Sequence, residues 1–313
     1  MKILVCEPIH EQSLAILRAK AQVVDWNEMP GADLHDVDGL IVRQIPITAA
    51  MMDRMPSLRV IGSHGVGVDN IDVAEARRRG IAIVNVPFGT ANCVAELAFA
   101  LMLAVSRQLV PGMDAIRGNC ARRGAPDQRG LELTGKALGI VGYGHIGARI
   151  GEIGNRGFGM SIHAYSRSLT VLGAPVGVCT YTSLTELFAA CDYICVCVPL
   201  TEQTRGMIGA RELAACKPTA ILVNCARGGV VDEAALLQAL RAGQLFGAAS
   251  DVFVSEPPTA DNPLLSCPRF VASQHIGVNT EEALMRIGNS VASDVLACLQ
   301  GKEPRYLYVG KEF

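Results

Sequence analysis

Apolar residues along this chain fall in short β-branched runs separated by stretches with helical spacing. The runs are KILVC (2–6), QVVD (22–25), GLIV (39–42), RVIGS (59–63) and IAIVNV (81–86), with a helix expected near 11–19. Alternation of this kind predicts a parallel sheet with crossover helices. From Asn92, the segment NCVAELAFALMLAVSRQL is apolar almost all round, which marks a buried or interface helix bridging two domains. Residues 112–134 break the periodicity with Gly, Pro and charges and read as a linker. A second alternation follows, with strands in KALGIVGYG, SIHAYS, YICVCVP, AILVNCA, AASDVF and RFVAS and helices near 145–157, 183–190, 232–242 and 280–300. Asp232 is a cap for one of these helices and Gly243 its stop. The last helix has a long return path, so it is expected to pack back on the N-terminal domain.

Length agrees with two domains, since 313 residues exceed what one core usually organises. With 50% apolar residues but 5% aromatics, the core must be built from Val, Ile, Leu and Ala, an α/β composition. The 28 basic and 30 acidic residues leave a net charge of −2 and no electrostatic footprint for nucleic acid or an anionic membrane, so a small partner is expected. The longest apolar run, Leu97 to Val105, is far short of the roughly 20 residues a bilayer demands, and MKILVCEPIHEQ turns polar too soon for a signal peptide. A cytoplasmic protein is expected. The 11 cysteines are odd in number and scattered; Cys6, Cys195, Cys197 and Cys225 lie in strand-like runs as small hydrophobes, and no CxxC pair suggests a metal site.

Candidate chemistry begins with GIVGYGHIG, which places Gly142, Gly144 and Gly147 in a G-x-G-x-x-G pattern between a strand and a helix. Gly142 would allow the tight turn, Gly144 the approach of a pyrophosphate, and Gly147 close packing of helix on strand, with His145 and Ile146 opening the helix that faces the phosphates. The next strand ends in Ser166, Arg167 and Ser168, where NAD-binding chains carry a carboxylate for the ribose. A guanidinium with two hydroxyls suits a 2′-phosphate, which favours NADP(H) and leaves NAD(H) possible. Three further segments put polar residues just after apolar strands: NCARGG with Arg227, SDVFVSEPP with Glu256 and SQHIG with His275. Together they offer an anion clamp, a carboxylate and an imidazole.

Those segments, with GKALGIVGYGHIG, VNCARGGVVDEAALLQAL and VGVDNIDVAEARRRGIAIVNVP, resemble the D-isomer-specific 2-hydroxyacid dehydrogenases over nearly the whole chain. That family includes phosphoglycerate dehydrogenase and glyoxylate/hydroxypyruvate reductase. The resemblance implies two Rossmann-like, doubly wound parallel-sheet domains. A flavodoxin-like substrate domain would span 1–98 plus 281–313, with a dinucleotide-binding domain inserted at 99–280, a cleft between them and a homodimer. It also implies that Arg227, Glu256 and His275 form the catalytic set. Arg227 would bind the carboxylate and polarise the keto oxygen, His275 would exchange a proton with that oxygen, and Glu256 would favour the imidazolium. Hydride belongs to the nicotinamide. Asp251 would hold its carboxamide, and Val198, Pro199, Thr204, Cys225, Ala226 and Gly277 would line the cofactor. In the other domain, His64, Gly65, Val66 and Gly67 form the substrate loop, and Arg43 matches a second basic position.

The chain departs from the phosphoglycerate dehydrogenases at Ser63, where they bear Arg, and at His64, where they bear a small residue. It also ends at Phe313, without room for a regulatory domain. A small 2-keto acid such as hydroxypyruvate or glyoxylate is therefore the expected substrate. The alternatives are 3-phosphoglycerate or another acid with an anionic tail, and a non-enzymatic dinucleotide-sensing protein like the corepressors that share this fold.

Overall fold

A computed structural model describes residues 1–120 and 129–309. The chain divides into two compact units, Met1–Thr90 with Val278–Phe313 and Ala91–Gly277. In the first, β1 (Lys2–Val5), α1 (Glu11–Arg18), β2 (Gln22–Val24), β3 (Gly39–Val42), α2 (Ala49–Asp53), β4 (Val60–Ser63), α3 (Val73–Arg78) and β5 (Ala82–Val84) follow in order. The strands form a parallel sheet ordered β2-β1-β3-β4-β5, the flavodoxin-like order, whose switch point lies between β1 and β3. β3 and β4 are buried throughout, which is why their sequences are continuously apolar rather than alternating.

The second unit opens with α4 (Ala91–Ser106) and α5 (Leu109–Arg117). It continues through β6 (Ala137–Val141), α6 (His145–Phe158), β7 (Ser161–Tyr165), α7 (Arg167–Leu172), β8 (Val178–Tyr181), α8 (Leu184–Ala190) and β9 (Tyr193–Val196). Then come α9 (Ala210–Ala214), β10 (Ile221–Asn224), α10 (Glu233–Arg241), β11 (Gly247–Ser250) and β12 (Phe270–Ala272). The parallel sheet runs β12-β11-β10-β9-β6-β7-β8. Alternate residues feed its two faces: Tyr193, Cys195, Ile221 and Val223 pack with α4 and α6, whereas Ile194, Val196 and Leu222 pack with α8, α9 and α10.

One feature of the sequence reading is corrected. The stretch read as a linker from 112 begins inside α5, because Pro111 falls in the first turn of that helix, where a missing N–H costs nothing; residues 121–128 of that stretch lie outside the described residues. Helix α4 lies whole in the second compact unit, which runs from Ala91 to Gly277. The helix is buried along Cys93, Ala95, Ala98, Met102 and Val105 against α6 and the sheet, and cannot be divided between cores. Strand β8 went unread because VCTY is a short, largely exposed edge strand.

The last helix, α11 (Glu281–Leu299), returns to the first unit, capped by Thr280. Val291, Val295 and Leu299 lie so close over Gly39 and Gly62 that side chains at those glycines would press into them. Asp232 caps α10 by accepting from the Ala235 N–H at 3.0 Å, and Gly243 ends it at φ +68°. Among the described residues, no single helix is long and apolar enough to cross a membrane.

Candidate active site

The chain enters the larger sheet at β6, moves outward through β7 and β8, then crosses back to β9. The switch point therefore lies between β6 and β9, where open α/β sheets place their ligands. Gly142 turns the chain there at φ +96°, and a Cβ on it would stand 2.7 Å from Val198 Cγ1 and 2.9 Å from the Cys197 carbonyl. At Gly147 a Cβ would overlap the Gly142 carbonyl oxygen. Gly144 is different. Its backbone is extended at φ −87°, and a Cβ would meet nothing within 4 Å. Neither conformation nor packing explains that glycine. The empty space lies at the N-terminus of α6, where intrahelical bonding begins with Ala148 N–H on the Gly144 carbonyl and the helix dipole favours an anion. This cradle fits the pyrophosphate of a dinucleotide.

Around it, Ser166 and Ser168 lie hydroxyl to hydroxyl at 2.9 Å, and Arg167 opens α7 on the exposed side. Val198 and Pro199 follow β9. Thr204 is buried and spends its hydroxyl inside the same turn, donating to the Pro199 carbonyl at 2.6 Å and accepting from the Thr201 N–H at 2.8 Å. It shapes the segment rather than offering a hydroxyl outward. Cys225 and Ala226 continue from β10 beside it, half-buried and buried respectively.

Beyond Ala226, Asn224 folds the chain around Arg227: its Oδ1 accepts from the Ala226 N–H at 3.0 Å and its Nδ2 donates to the Arg227 carbonyl at 3.1 Å. Half-buried Arg227 donates from Nη1 to the Ala226 carbonyl at 2.8 Å. Gly228 then runs against the backbone of Phe253 and Val254 with no room for a Cβ. Glu233, at the start of α10, accepts the Val254 N–H at 2.7 Å. The next turn is closed by Glu256, whose Oε1 accepts the Phe253 N–H at 2.9 Å while its Oε2 lies 2.6 Å from His275 Nδ1. Partial burial pushes the Glu256 carboxyl up, but the His275 and Phe253 hydrogen bonds and the charges of His275 and Arg227 outweigh it, holding the group below the usual carboxylate range.

Asp251, buried directly after β11, organises the loop that carries His275. Its Oδ1 accepts from Ser273 Oγ at 2.6 Å and the Ile276 N–H at 2.9 Å, and its Oδ2 accepts the Gly277 N–H at 2.9 Å. Its own carbonyl takes the His275 N–H at 2.7 Å. Asp251 is thus employed in holding the loop, a role the residue pattern did not reveal. Glu233 likewise has a structural task that only a long-range contact exposes, 21 positions away at Val254, whereas that of Asn224 is local to its own turn.

In the first unit, Glu7 after β1 accepts the N–H groups of Arg43, Gln44 and Ile45 at 2.6 to 3.2 Å, fixing Arg43 at the switch point of that sheet. Glu7 had no signal in the sequence beyond its place at a strand end. Arg43 donates from Nη1 to the Pro8 carbonyl at 3.0 Å. Gly65 and Val66 are held from behind, their carbonyls accepting from Val86 N–H at 2.8 Å and Asn85 Nδ2 at 2.7 Å. Ser63 is buried and donates to the Gly67 carbonyl at 2.7 Å. At Gly65 a Cβ would meet nothing within 4 Å, so here too the chain's own packing does not account for the glycine. His64, expected at the substrate, instead has its ring buried at 4% exposure beneath α11, near Ser13 and Gly288, with neither ring nitrogen hydrogen-bonded. Burial and the charge of Arg43 push its pKa down to about 4.

Residues 99–277 match the NAD binding domain of the D-isomer specific 2-hydroxyacid dehydrogenases. The chain belongs to that family. It is 39% identical to D-3-phosphoglycerate dehydrogenase of Methanocaldococcus jannaschii over 96% of this chain and 58% of that one. It is 38% identical to glyoxylate reductase of Pyrococcus furiosus over 99% of this chain and 96% of that one. Among solved structures, an NADPH-dependent glyoxylate/hydroxypyruvate reductase of Sinorhizobium meliloti, in complex with NADP and malonate, superposes with a TM-score of 0.86 at 31% identity, covering 98% of this chain and 96% of that one. The chain spans about half the length of the phosphoglycerate dehydrogenases it matches.

Proposed function

We propose that the protein is a nicotinamide-dependent reductase of small 2-keto acids, forming D-2-hydroxy acids, with a hydroxypyruvate- or glyoxylate-type substrate. The observation that carries this reading is the Glu256–His275 contact at 2.6 Å on a loop anchored by Asp251, beside Arg227. When bound, the nicotinamide supplies the hydride. Arg227 holds the substrate carboxylate and draws charge from the keto oxygen. His275, with Nδ1 engaged by Glu256, gives a proton to that oxygen from Nε2, and the ionised Glu256 stabilises the imidazolium before transfer. The N–H groups of the Gly65–Gly67 loop serve a carboxylate as the family resemblance implies.

The preference for an unphosphorylated acid rests on Ser63, whose hydroxyl is turned onto the Gly67 carbonyl where a phosphate site would need a cation. Relatives named D-3-phosphoglycerate dehydrogenase keep that acid as the second reading. NADP(H) is favoured by Arg167 flanked by Ser166 and Ser168. A homodimer is supported by α5, whose Leu109, Val110, Met113 and Ile116 form an exposed apolar face suited to a second copy. Steady-state oxidation of NADPH and NADH with glyoxylate, hydroxypyruvate, other 2-keto acids and 3-phosphohydroxypyruvate tests the reading. Turnover of the small acids is expected; dinucleotide binding without turnover of any acid would overturn it.

A further inference from the structure

Three consecutive carbonyls of the Gly65–Gly67 loop are each taken by a donor. Val86 N–H binds the Gly65 carbonyl at 2.8 Å, Asn85 Nδ2 the Val66 carbonyl at 2.7 Å, and Ser63 Oγ the Gly67 carbonyl at 2.7 Å. A planar trans peptide turns its N–H opposite to its carbonyl. Holding the Val66 carbonyl therefore also holds the Gly67 N–H, which points away from Asn85. The backbone of Asn85 is itself gripped. The residue follows β5, the outer strand of the smaller sheet, and is 8% exposed. Residues 306–308 run antiparallel along β5: Leu307 bridges Val84, Tyr308 N–H donates to the Ile83 carbonyl at 2.8 Å, and Asn85 N–H donates to the Tyr306 carbonyl at 3.3 Å. Arg305 N–H, on Asp294 Oδ1 at 2.9 Å, ties that segment to α11.

We propose that Asn85 is a positioning residue for the substrate carboxylate, holding the Val66–Gly67 peptide so that the Gly67 N–H is presented to it. The inference rests on the reading of this loop as a carboxylate site. The residue type suits the task, because the Val66 carbonyl needs an N–H donor on a short stem. Aspartate, equal in size, would set a second acceptor against that carbonyl in a buried place. Without the brace the peptide can rotate, and a carboxylate then binds only the fraction of loops whose N–H is aimed. The carboxylate is held alike in the ground state and the transition state, so the loss falls on KM and spares kcat.

The test compares the full chain with its Asn85→Ala and Asn85→Asp variants by steady-state reduction of glyoxylate and hydroxypyruvate, inhibition by oxalate, and NADPH titration. Expected is a rise of about tenfold or more in KM and in the oxalate inhibition constant, with kcat and NADPH affinity changed by less than about threefold. In Asn85→Asp the defect relative to wild type should shrink from about pH 8 to about pH 5.5, because a protonated carboxyl regains a donor, whereas in Asn85→Ala it should stay constant. Should Asn85→Asp fail to fold, Asn85→Ala decides alone. A wild-type KM in Asn85→Ala, a loss confined to kcat, an equal loss of NADPH affinity, or a folded Asn85→Asp with the same defect at every pH would overturn the inference alone. Wild-type protein that reduces no 2-keto acid would overturn the proposed function and this inference with it.

Discussion

His275 stands in a left-handed backbone conformation at φ +55°, with its N–H on the Asp251 carbonyl at 2.7 Å. A non-glycine residue rarely adopts that conformation without constraint. The constraint is Asp251, which also takes the N–H groups of Ile276 and Gly277 on its carboxylate. Three successive N–H groups converge on one residue and aim the imidazole at Glu256.

Asp251→Asn would set an amide NH2 against one of those donors. Charge-assisted hydrogen bonds are worth about 1.5–3 kcal/mol each, and about 1.4 kcal/mol is tenfold in rate. The variant should therefore lose about 10- to 100-fold in kcat, while NADPH affinity changes less. Stopped-flow turnover and a binding titration check this, and a kcat within twofold of wild type would contradict the role.

Two glycines separate fold from ligand. Gly144→Ala should leave the melting temperature unchanged, because no protein atom lies within 4 Å of the new Cβ, yet weaken NADPH binding by about tenfold or more. Gly228→Ala should lower the melting temperature, because its Cβ falls on the Phe253 backbone and overpacking costs about 1–3 kcal/mol. Calorimetry and fluorescence titration of both variants test the distinction.

His64 makes the first unit sensitive to acid. Its folded pKa, down at about 4, lies below the ordinary 6.5, so between those values the unfolded chain binds the extra proton. Stability from this group is present above pH 6.5 and falls as pH drops towards 4, by about 3 kcal/mol in all. Because neither ring nitrogen has a hydrogen-bond partner, His64→Leu should be tolerated at pH 7.5 and should flatten the dependence. Denaturant unfolding from pH 4.5 to 7.5 measures both slopes; equal slopes would refute the prediction.

Arg167→Ala bears on the cofactor. If the guanidinium meets a 2′-phosphate, kcat/KM for NADPH should fall about tenfold or more and that for NADH should change little. Equal losses with both cofactors would assign Arg167 a structural task.

Much of the molecule was legible in the residues alone, because strand runs, glycine spacing and cap residues depend on neighbours a few positions away. The alternating runs, the turn at Gly142 and the cap at Asp232 are of this kind, as is the appearance of Arg227, Glu256 and His275 after successive strands. What the tertiary structure decided depends on segments far apart in the chain. The ring of His64 is buried because α11, more than 200 residues later, closes over it, and local pattern carries no trace of that contact. Asp251 and Ser273 meet across 22 positions, so the residue that aims His275 was expected only at the nicotinamide carboxamide and not as the anchor of that loop. Gly144 and Gly228 look alike as letters; only the atoms packed around them show that one glycine leaves room for a ligand and the other for Phe253.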